Sequence, residues 1–315
     1  MRRSPRALVP LVLATIAVIG CGGQGREPAS APANPVIVGP GRLVAIGGGR
    51  SLYLHCMGSG SPTVVLEAGF GGNSGNWSAV QRTLGRTTRT CAYDRAGLGN
   101  SLAMPGVHDG GDEIADLQRL LDHAHLAPPY VLVGHSYGGL LVRLFAHAHP
   151  REAAGVVLVD AMGHDQDRRL LAIWRAQPAR VRRHVPKPTA HAVEAGVDVM
   201  AGERLEASVT SLGDVPLAVV TRGRDDGSGG PLPPASIRRP ADRLWMTMQD
   251  ELAAMSGDHL HVVALRSGHF VQGPVDGQPS VVVRAARAVV GAARTGARLP
   301  ACARVFAGRG VRCRR

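Results

Sequence analysis

The sequence lacks the motifs by which proteins most often bind nucleotides and zinc. It has no glycine-rich phosphate loop and no dinucleotide fingerprint, so we predict no cofactor. Only five cysteines are present, and no two of them have the two-residue spacing of a zinc site. We therefore predict no metal centre.

Acidic residues are absent from both ends of the chain. The formal net charge is +12, but residues 1–26 carry four arginines and no acid, and residues 284–315 carry nine arginines and no acid. Subtracting these charges leaves a net charge of −1 for residues 27–283. Such a nearly neutral body offers no basic face for phosphates, so nucleic acid is not a predicted partner. The basic ends suit solvated extensions or contact with an anionic surface.

The N-terminus has the pattern of an export signal. Three arginines precede an apolar run, residues 7–19, which is too short to cross a bilayer comfortably, and a small residue precedes Cys21. The letters VIGC resemble the bacterial lipoprotein box, which implies a signal peptide over residues 1–20 and a lipid anchor on Cys21. The alternative is an ordinary signal peptide followed by an incidental cysteine. Residues 21–41 suit a flexible tether, so we expect a membrane-anchored envelope lipoprotein or a secreted protein.

From residue 42 the sequence alternates short apolar runs with helical stretches, which is typical of an α/β sheet. Hydrophobic residues make up 44% of the 315-residue chain, enough for a large core. We predict this core over residues 42–160 and 215–294. Residues 161–214 interrupt the alternation with helical stretches, and we predict a helical lid there. Residues 295–315 are predicted to be a basic C-terminal tail.

The segment VLVGHSYGGL, residues 131–140, places Gly-x-Ser-x-Gly between a strand and a helix, which is the pattern of a nucleophile elbow. Such a turn presents Ser136 at a helix N-terminus, where developing negative charge is favoured. A serine hydroxyl needs a base, which is usually a histidine held by a carboxylate. His269, in ALRSGHF after the last predicted strand, is the predicted base. A serine in place of an aspartate nucleophile argues for acyl transfer to water.

With LHCMGSGSPTVVLEAG, CAYDRAGLGNS and SGHF, the chain resembles secreted bacterial members of the α/β-hydrolase fold superfamily across residues 42–294. This resemblance implies a mostly parallel, eight-stranded sheet flanked by helices, with the lid inserted after the sixth strand. It also implies an oxyanion hole from the backbone N–H groups of Tyr137 and Phe70. Phe70 stands in Ala68-Gly69-Phe70, where many relatives have His-Gly-x.

The resemblance places the catalytic acid just after the penultimate strand of the sheet. Asp225 and Asp226 occupy that position, and we favour Asp225. Asp160, which ends the preceding strand, is the alternative used by some lipases of this fold. The sequence leaves these assignments open.

Four cysteines remain after Cys21, and an even number favours disulfides in an exported protein. In the sheet order that the resemblance implies, the second and fourth strands are neighbours, which pairs Cys56 with Cys91. Cys302 and Cys313 would then pair with each other and fold back the basic tail.

The predicted function is hydrolysis of small carboxylic esters through an acyl-enzyme on Ser136. One alternative is an aminopeptidase resembling proline iminopeptidases, which would need an acidic pair in the lid to hold the substrate amine. Another is a non-catalytic binding protein on a hydrolase scaffold. The acidic residues available in the lid are Asp165, Asp167, Glu194, Asp198, Glu203 and Glu206.

Overall fold

A nine-stranded sheet forms the centre of the protein in the computed structural model, which describes residues 41–185, 187, 193–224, 232–308 and 310–314. The sheet order is β1-β2-β4-β3-β5-β6-β9-β10-β11. The six strands from β4 to β10 in this order run parallel, while β1, β2 and β11 pair antiparallel with their neighbours. The strands are β1 Arg42–Gly47, β2 Arg50–Met57, β3 Thr63–Glu67, β4 Thr90–Tyr93, β5 Tyr130–His135, β6 Ala153–Val159, β7 Val193–Glu194, β8 Val197–Asp198, β9 Leu217–Arg222, β10 His259–Ala264 and β11 Val311–Arg314.

Helices cover both faces of the sheet, which explains why its central strands are buried and mostly apolar. All residues of β3, β4 and β5 are buried. One cluster of buried side chains includes α2 and α3, and a second includes α1 and α8. The helices are α1 Ser78–Leu84, α2 Gly110–His123, α3 Tyr137–Ala148, α4 Gln166–Arg175, α5 Ala179–Arg182, α6 Val199–Glu206, α7 Ala235–Ala253, α8 Pro279–Thr295 and α9 Cys302–Val305.

The fold class predicted from the sequence is confirmed, with one correction to the number of strands. The expected eight strands are nine because the C-terminal tail contributes β11, which pairs with the edge strand β10. The tail is therefore partly folded onto the sheet. The 19-residue helix α7, to which sequence analysis assigned no element, lies between β9 and β10.

The segment between β6 and β9, where the sequence predicts an inserted lid, contributes no strand to the main sheet among its described residues. It contains α4, α5 and α6, together with a two-stranded ribbon of β7 and β8. Its role as a lid stays a prediction. Cys21, the predicted signal peptide and residues 21–40 of the predicted tether lie outside the described residues. Within the part of the chain that the structure describes, no helix is both long enough and apolar enough to cross a membrane.

Both predicted disulfides are confirmed. Cys56 and Cys91 lie opposite each other on β2 and β4, which are neighbours as expected, and their sulfurs are bonded. Cys302 on α9 is bonded to Cys313 on β11. The first bridge joins residues 35 positions apart, and closing a loop of that length stabilises a fold by about 3 to 4 kcal/mol.

Candidate active site

Ser136 occupies a sharp turn between β5 and α3. Its φ of 51° and ψ of −120° lie outside the regions that non-glycine residues usually adopt, so the turn is strained. A Cβ added at Gly134 would lie 2.3 Å from the carbonyl oxygen of Gly138, and one added at Gly138 would lie 2.4 Å from that of Ala68. The two glycines of the motif are therefore required by close backbone contacts, and Ser136 stands partly exposed above them.

His269 lies in the loop after β10, next to the turn that carries Ser136. Its backbone oxygen is 3.0 Å from Nε2 of His135, the neighbour of Ser136, and the two imidazole rings are 4.6 Å apart. Burial, and then the nearby His269, lower the pKa of His135 to about 3. His135 is therefore neutral at physiological pH and supports the loop without adding charge.

Asp160 is the carboxylate that contacts His269. Its Oδ2 is 2.7 Å from Nδ1 of His269, and its side chain is fully buried at the end of β6. The backbone N–H and the Nη1 of Arg222 donate to it at 3.0 Å each, and Trp245 Nε1 donates at 2.8 Å. Burial alone would raise the pKa of Asp160, but Arg222 and His269 outweigh burial and hold that pKa far below its ordinary value.

The structure thus pairs His269 with the alternative acid of the sequence analysis. The favoured Asp225 and its neighbour Asp226 lie outside the described residues. Sequence reasoning missed Arg222 and Trp245, which complete the surroundings of Asp160. Arg222 also stacks over the Trp245 ring at 4.3 Å, and this contact joins β9 to α7 beside the acid.

The loop after β3, where an oxyanion hole is expected, passes close to Ser136. A Cβ on Gly69 would lie 2.8 Å from Nδ1 of His135 and 3.1 Å from the Cβ of Ser136. Phe70 follows Gly69 with its side chain about half exposed, and Tyr137 follows Ser136 as the first residue of α3. The donor roles of Phe70 and Tyr137 stay predictions.

Buried Arg95 holds this loop in place. Its Nη1 donates to the carbonyl oxygen of Ala68 at 2.6 Å, and its Nη2 donates to that of Gly69 at 3.0 Å. Its charge is balanced by Glu67 at 2.7 Å and by Glu113 at 2.9 Å. Arg95 therefore fixes the backbone just before the expected Phe70 donor, which is a role that the motif CAYDRAGLGNS did not reveal.

Among the described residues of the insertion, two of the candidate acids are in contact. The Asp167 N–H donates to Glu203 Oε1 at 3.3 Å, and burial raises the pKa of Glu203 to about 7 although this hydrogen bond lowers it. Glu206, by contrast, is paired with Arg143 at 2.9 Å and with His164 at 2.9 Å. Among the residues that the structure describes, no three His, Cys, Asp or Glu side chains are grouped so that they could hold a metal ion.

The raised pKa of Glu203 predicts a pH-dependent stability. Between about pH 4.5 and 7 the folded carboxyl keeps a proton that the unfolded chain releases, so stability falls as pH rises through this window. Glu203→Gln imitates the protonated form and should raise the Tm at pH 8 by about 2–4 °C, the effect of about 1 kcal/mol. At pH 4 the variant and the wild type should melt together. Equal shifts at both pH values in calorimetry would contradict the prediction.

The sequence of this chain is similar to a protein-family model and to several known proteins. A family model of the alpha/beta hydrolase fold matches residues 62–197. The uncharacterized protein YqjL of Bacillus subtilis strain 168 is 26% identical over 218 residues, which are 69% of this chain and 80% of YqjL. The 2-hydroxy-6-oxo-2,4-heptadienoate hydrolase of Pseudomonas putida is 33% identical over 144 residues, which are 44% of this chain and 51% of that enzyme.

A solved structure extends the likeness to most of the described fold. A thermophilic esterase from Thermogutta terrifontis superposes with a TM-score of 0.57 at 21% identity. The alignment covers 82% of this chain and 100% of the esterase. At this identity the match shows a shared fold.

Proposed function

Because this chain belongs to the α/β-hydrolase superfamily, we propose that it is a serine hydrolase that cleaves carboxylic esters through an acyl-enzyme on Ser136. The observation that carries the proposal is the contact of His269 with the buried carboxylate of Asp160, beside a strained serine turn. A serine on an exposed elbow and a histidine oriented by a carboxylate are the two parts that acyl transfer requires.

In the proposed reaction, Ser136 Oγ attacks the ester carbonyl while His269 Nε2 takes the hydroxyl proton. The negative charge that develops on the carbonyl oxygen is stabilised by the N–H groups of Phe70 and Tyr137. His269 then gives its proton to the leaving alcohol, and an acyl group remains on Ser136. Water then takes the place of the serine in a second half-reaction. His269 takes a proton from the water, and the resulting hydroxide attacks the acyl carbon. The carboxylic acid leaves as Ser136 regains the proton from His269.

Asp160 is the proposed acid of the triad. Since Arg222 and His269 keep its pKa low, it is ionised at all physiological pH values. An ionised carboxylate 2.7 Å from Nδ1 favours the tautomer with a proton on that nitrogen, which leaves Nε2 free to accept the serine proton. The donors Arg222 and Trp245 hold the carboxylate in this orientation.

The surroundings of Ser136 favour an ester with an apolar group. Phe70 directly follows Gly69, the loop residue that lies against Ser136. The ring of Phe270 packs beside the rings of His135 and His269, at centroid distances of 5.3 and 5.5 Å. Both phenylalanines are exposed, at 49% and 39%. Exposed aromatic side chains beside a reaction centre contribute apolar contacts to a substrate.

A fluorophosphonate probe tests the proposal. We expect stoichiometric labelling of wild-type protein, with the adduct on Ser136 in a peptide map, and hydrolysis of short-chain p-nitrophenyl esters. Ser136→Ala should not be labelled. A wild-type protein that neither labels nor turns over esters would favour the binding-protein alternative. Turnover of proline p-nitroanilide alone would favour the aminopeptidase.

We also propose that the enzyme works outside the cytoplasm, anchored by lipid on Cys21. The two disulfides support an exported protein, because thiols in the cytosol are kept reduced. Two or more acyl chains on the N-terminal cysteine would give a stable anchor.

A further inference from the structure

The C-terminal residues 302–308 and 310–314, called here the C-terminal strap, are fastened to the edge of the sheet. Its strand β11 pairs with β10, so that Arg314 lies opposite His261. The disulfide between Cys302 and Cys313 closes the strap on itself, and the Phe306 ring is buried in the core. The strap is thus held to the sheet by backbone pairing and apolar packing, and the covalent bridge fixes its own shape.

A second anchor joins the strap to helix α7. Arg314 donates to both carboxylate oxygens of Asp250, at 2.6 and 2.5 Å, and His261 Nδ1 lies 3.0 Å from the same carboxylate. Trp245, which donates to Asp160, lies on α7 five residues before Asp250. The strap therefore contacts the helix that supports the proposed catalytic acid.

The strap also contacts the loop that carries His269. The carbonyl oxygen of Gly310 accepts hydrogen bonds from Leu265 N and from Gln278 Nε2, both at 3.0 Å. Gln278 Oε1 accepts from Arg266 N at 2.8 Å, and Gln278 N donates to Val271 O at 2.9 Å. One buried amide side chain thus ties the start of the loop, its end and the strap together.

We infer that Gln278 is a positioning residue for His269 and that the disulfide-closed strap holds Gln278 in place. The inference rests on the proposed function, since it assigns these contacts a role in catalysis. The loop between Leu265 and Gln278 contains three glycines and has little regular structure of its own, so its conformation depends on such external contacts. Catalytic rate depends steeply on this placement, because a misplacement of about 1 Å can cost about 10²-fold.

Paired disulfide variants separate positioning from general stability. Cys302→Ser/Cys313→Ser removes the bridge of the strap, whereas Cys56→Ser/Cys91→Ser removes a bridge between β2 and β4 on the other side of the sheet. Well below both melting temperatures, the strap variant should lose about 10-fold or more in kcat with KM changed by less than about threefold. The control should keep kcat within about twofold although it opens the longer loop. Equal losses of kcat in the two variants would overturn the inference.

Gln278→Met tests the amide itself, since methionine has a similar length but forms neither hydrogen bond. It should reproduce the fall in kcat with the strap bridge intact. Hydrogen exchange of residues 266–278 gives a readout that does not need activity, and exchange should speed up in both Gln278→Met and the strap variant. Unchanged exchange in both would overturn the inference even if the wild type hydrolyses esters. Faster exchange in both variants, together with a wild type that lacks esterase activity, would instead count against the proposed function alone.

Discussion

Replacing Ser136 by alanine is expected to lower kcat for ester hydrolysis by about 10⁴- to 10⁶-fold while the fold stays intact. Alanine lacks the Oγ atom that the proposed mechanism bonds to the substrate. It fits the same strained turn, because the close backbone contacts of that turn fall on Gly134 and Gly138. The residual rate would come from the remaining oxyanion donors and from substrate binding. Steady-state kinetics with a p-nitrophenyl ester, together with calorimetry, measures both expectations.

Two further variants make this result specific to the proposed triad. His269→Ala should cost a similar factor, and the double variant should lose scarcely more than either single one, because the two residues act as a unit. Ser280→Ala, an exposed position in α8, should keep kcat within about twofold. A Ser136→Ala enzyme that retained a tenth of the wild-type kcat would contradict an acyl-enzyme on this serine.

Local sequence signals were sufficient to predict the turn that carries Ser136. The turn needs a buried strand, two glycines in contact with neighbouring backbone and a helix start, and all of these lie within ten consecutive residues. The pairing of Cys56 with Cys91 needed in addition the strand order, which only the family resemblance supplied. Features that depend on a short continuous segment could therefore be predicted from the sequence.

The surroundings of Asp160, the proposed acid, come from distant segments of the chain. Asp160 and Asp225 both follow a buried strand, so spacing alone does not separate them. Asp160 accepts hydrogen bonds from Arg222 on β9 and from Trp245 on α7, which are contacts that spacing does not predict. Helix α7 gave no clear signal because Pro240 lies inside it, where proline removes a backbone donor and interrupts the usual helical pattern.

The strand within the tail was not predicted, for a related reason. Its many arginines suggest a solvated extension, but one of them, Arg314, forms a bidentate pair with Asp250, which is 64 residues away in the sequence. An edge strand such as β10 presents backbone N–H and C=O groups, and a short strand can pair with them whatever its side chains are. The composition of the tail therefore predicts neither the ion pair with Asp250 nor the strand pairing with β10.

Replacing Asp160 by asparagine is expected to lower kcat by about 10³- to 10⁴-fold with little change in KM. The amide keeps the shape of the side chain but can turn its NH₂ group toward Nδ1 of His269, which would place the imidazole proton on Nε2. His269 could then no longer accept the proton of Ser136. The same change leaves Arg222 beside a neutral group, so a lower Tm is expected as well, and kinetics should be measured well below that Tm.

The matched variant Asp225→Asn distinguishes the two acids that the sequence left open. If Asp160 orients His269 as proposed, its carboxylate already occupies Nδ1 of the imidazole, so Asp225→Asn should keep kcat within about twofold. The reverse result, a loss of about 10³-fold in Asp225→Asn and near-normal turnover in Asp160→Asn, would return the acid to the position after β9. In that case the 2.7 Å contact of Asp160 would serve the stability of the histidine loop, and the triad would close through a segment beyond Arg224.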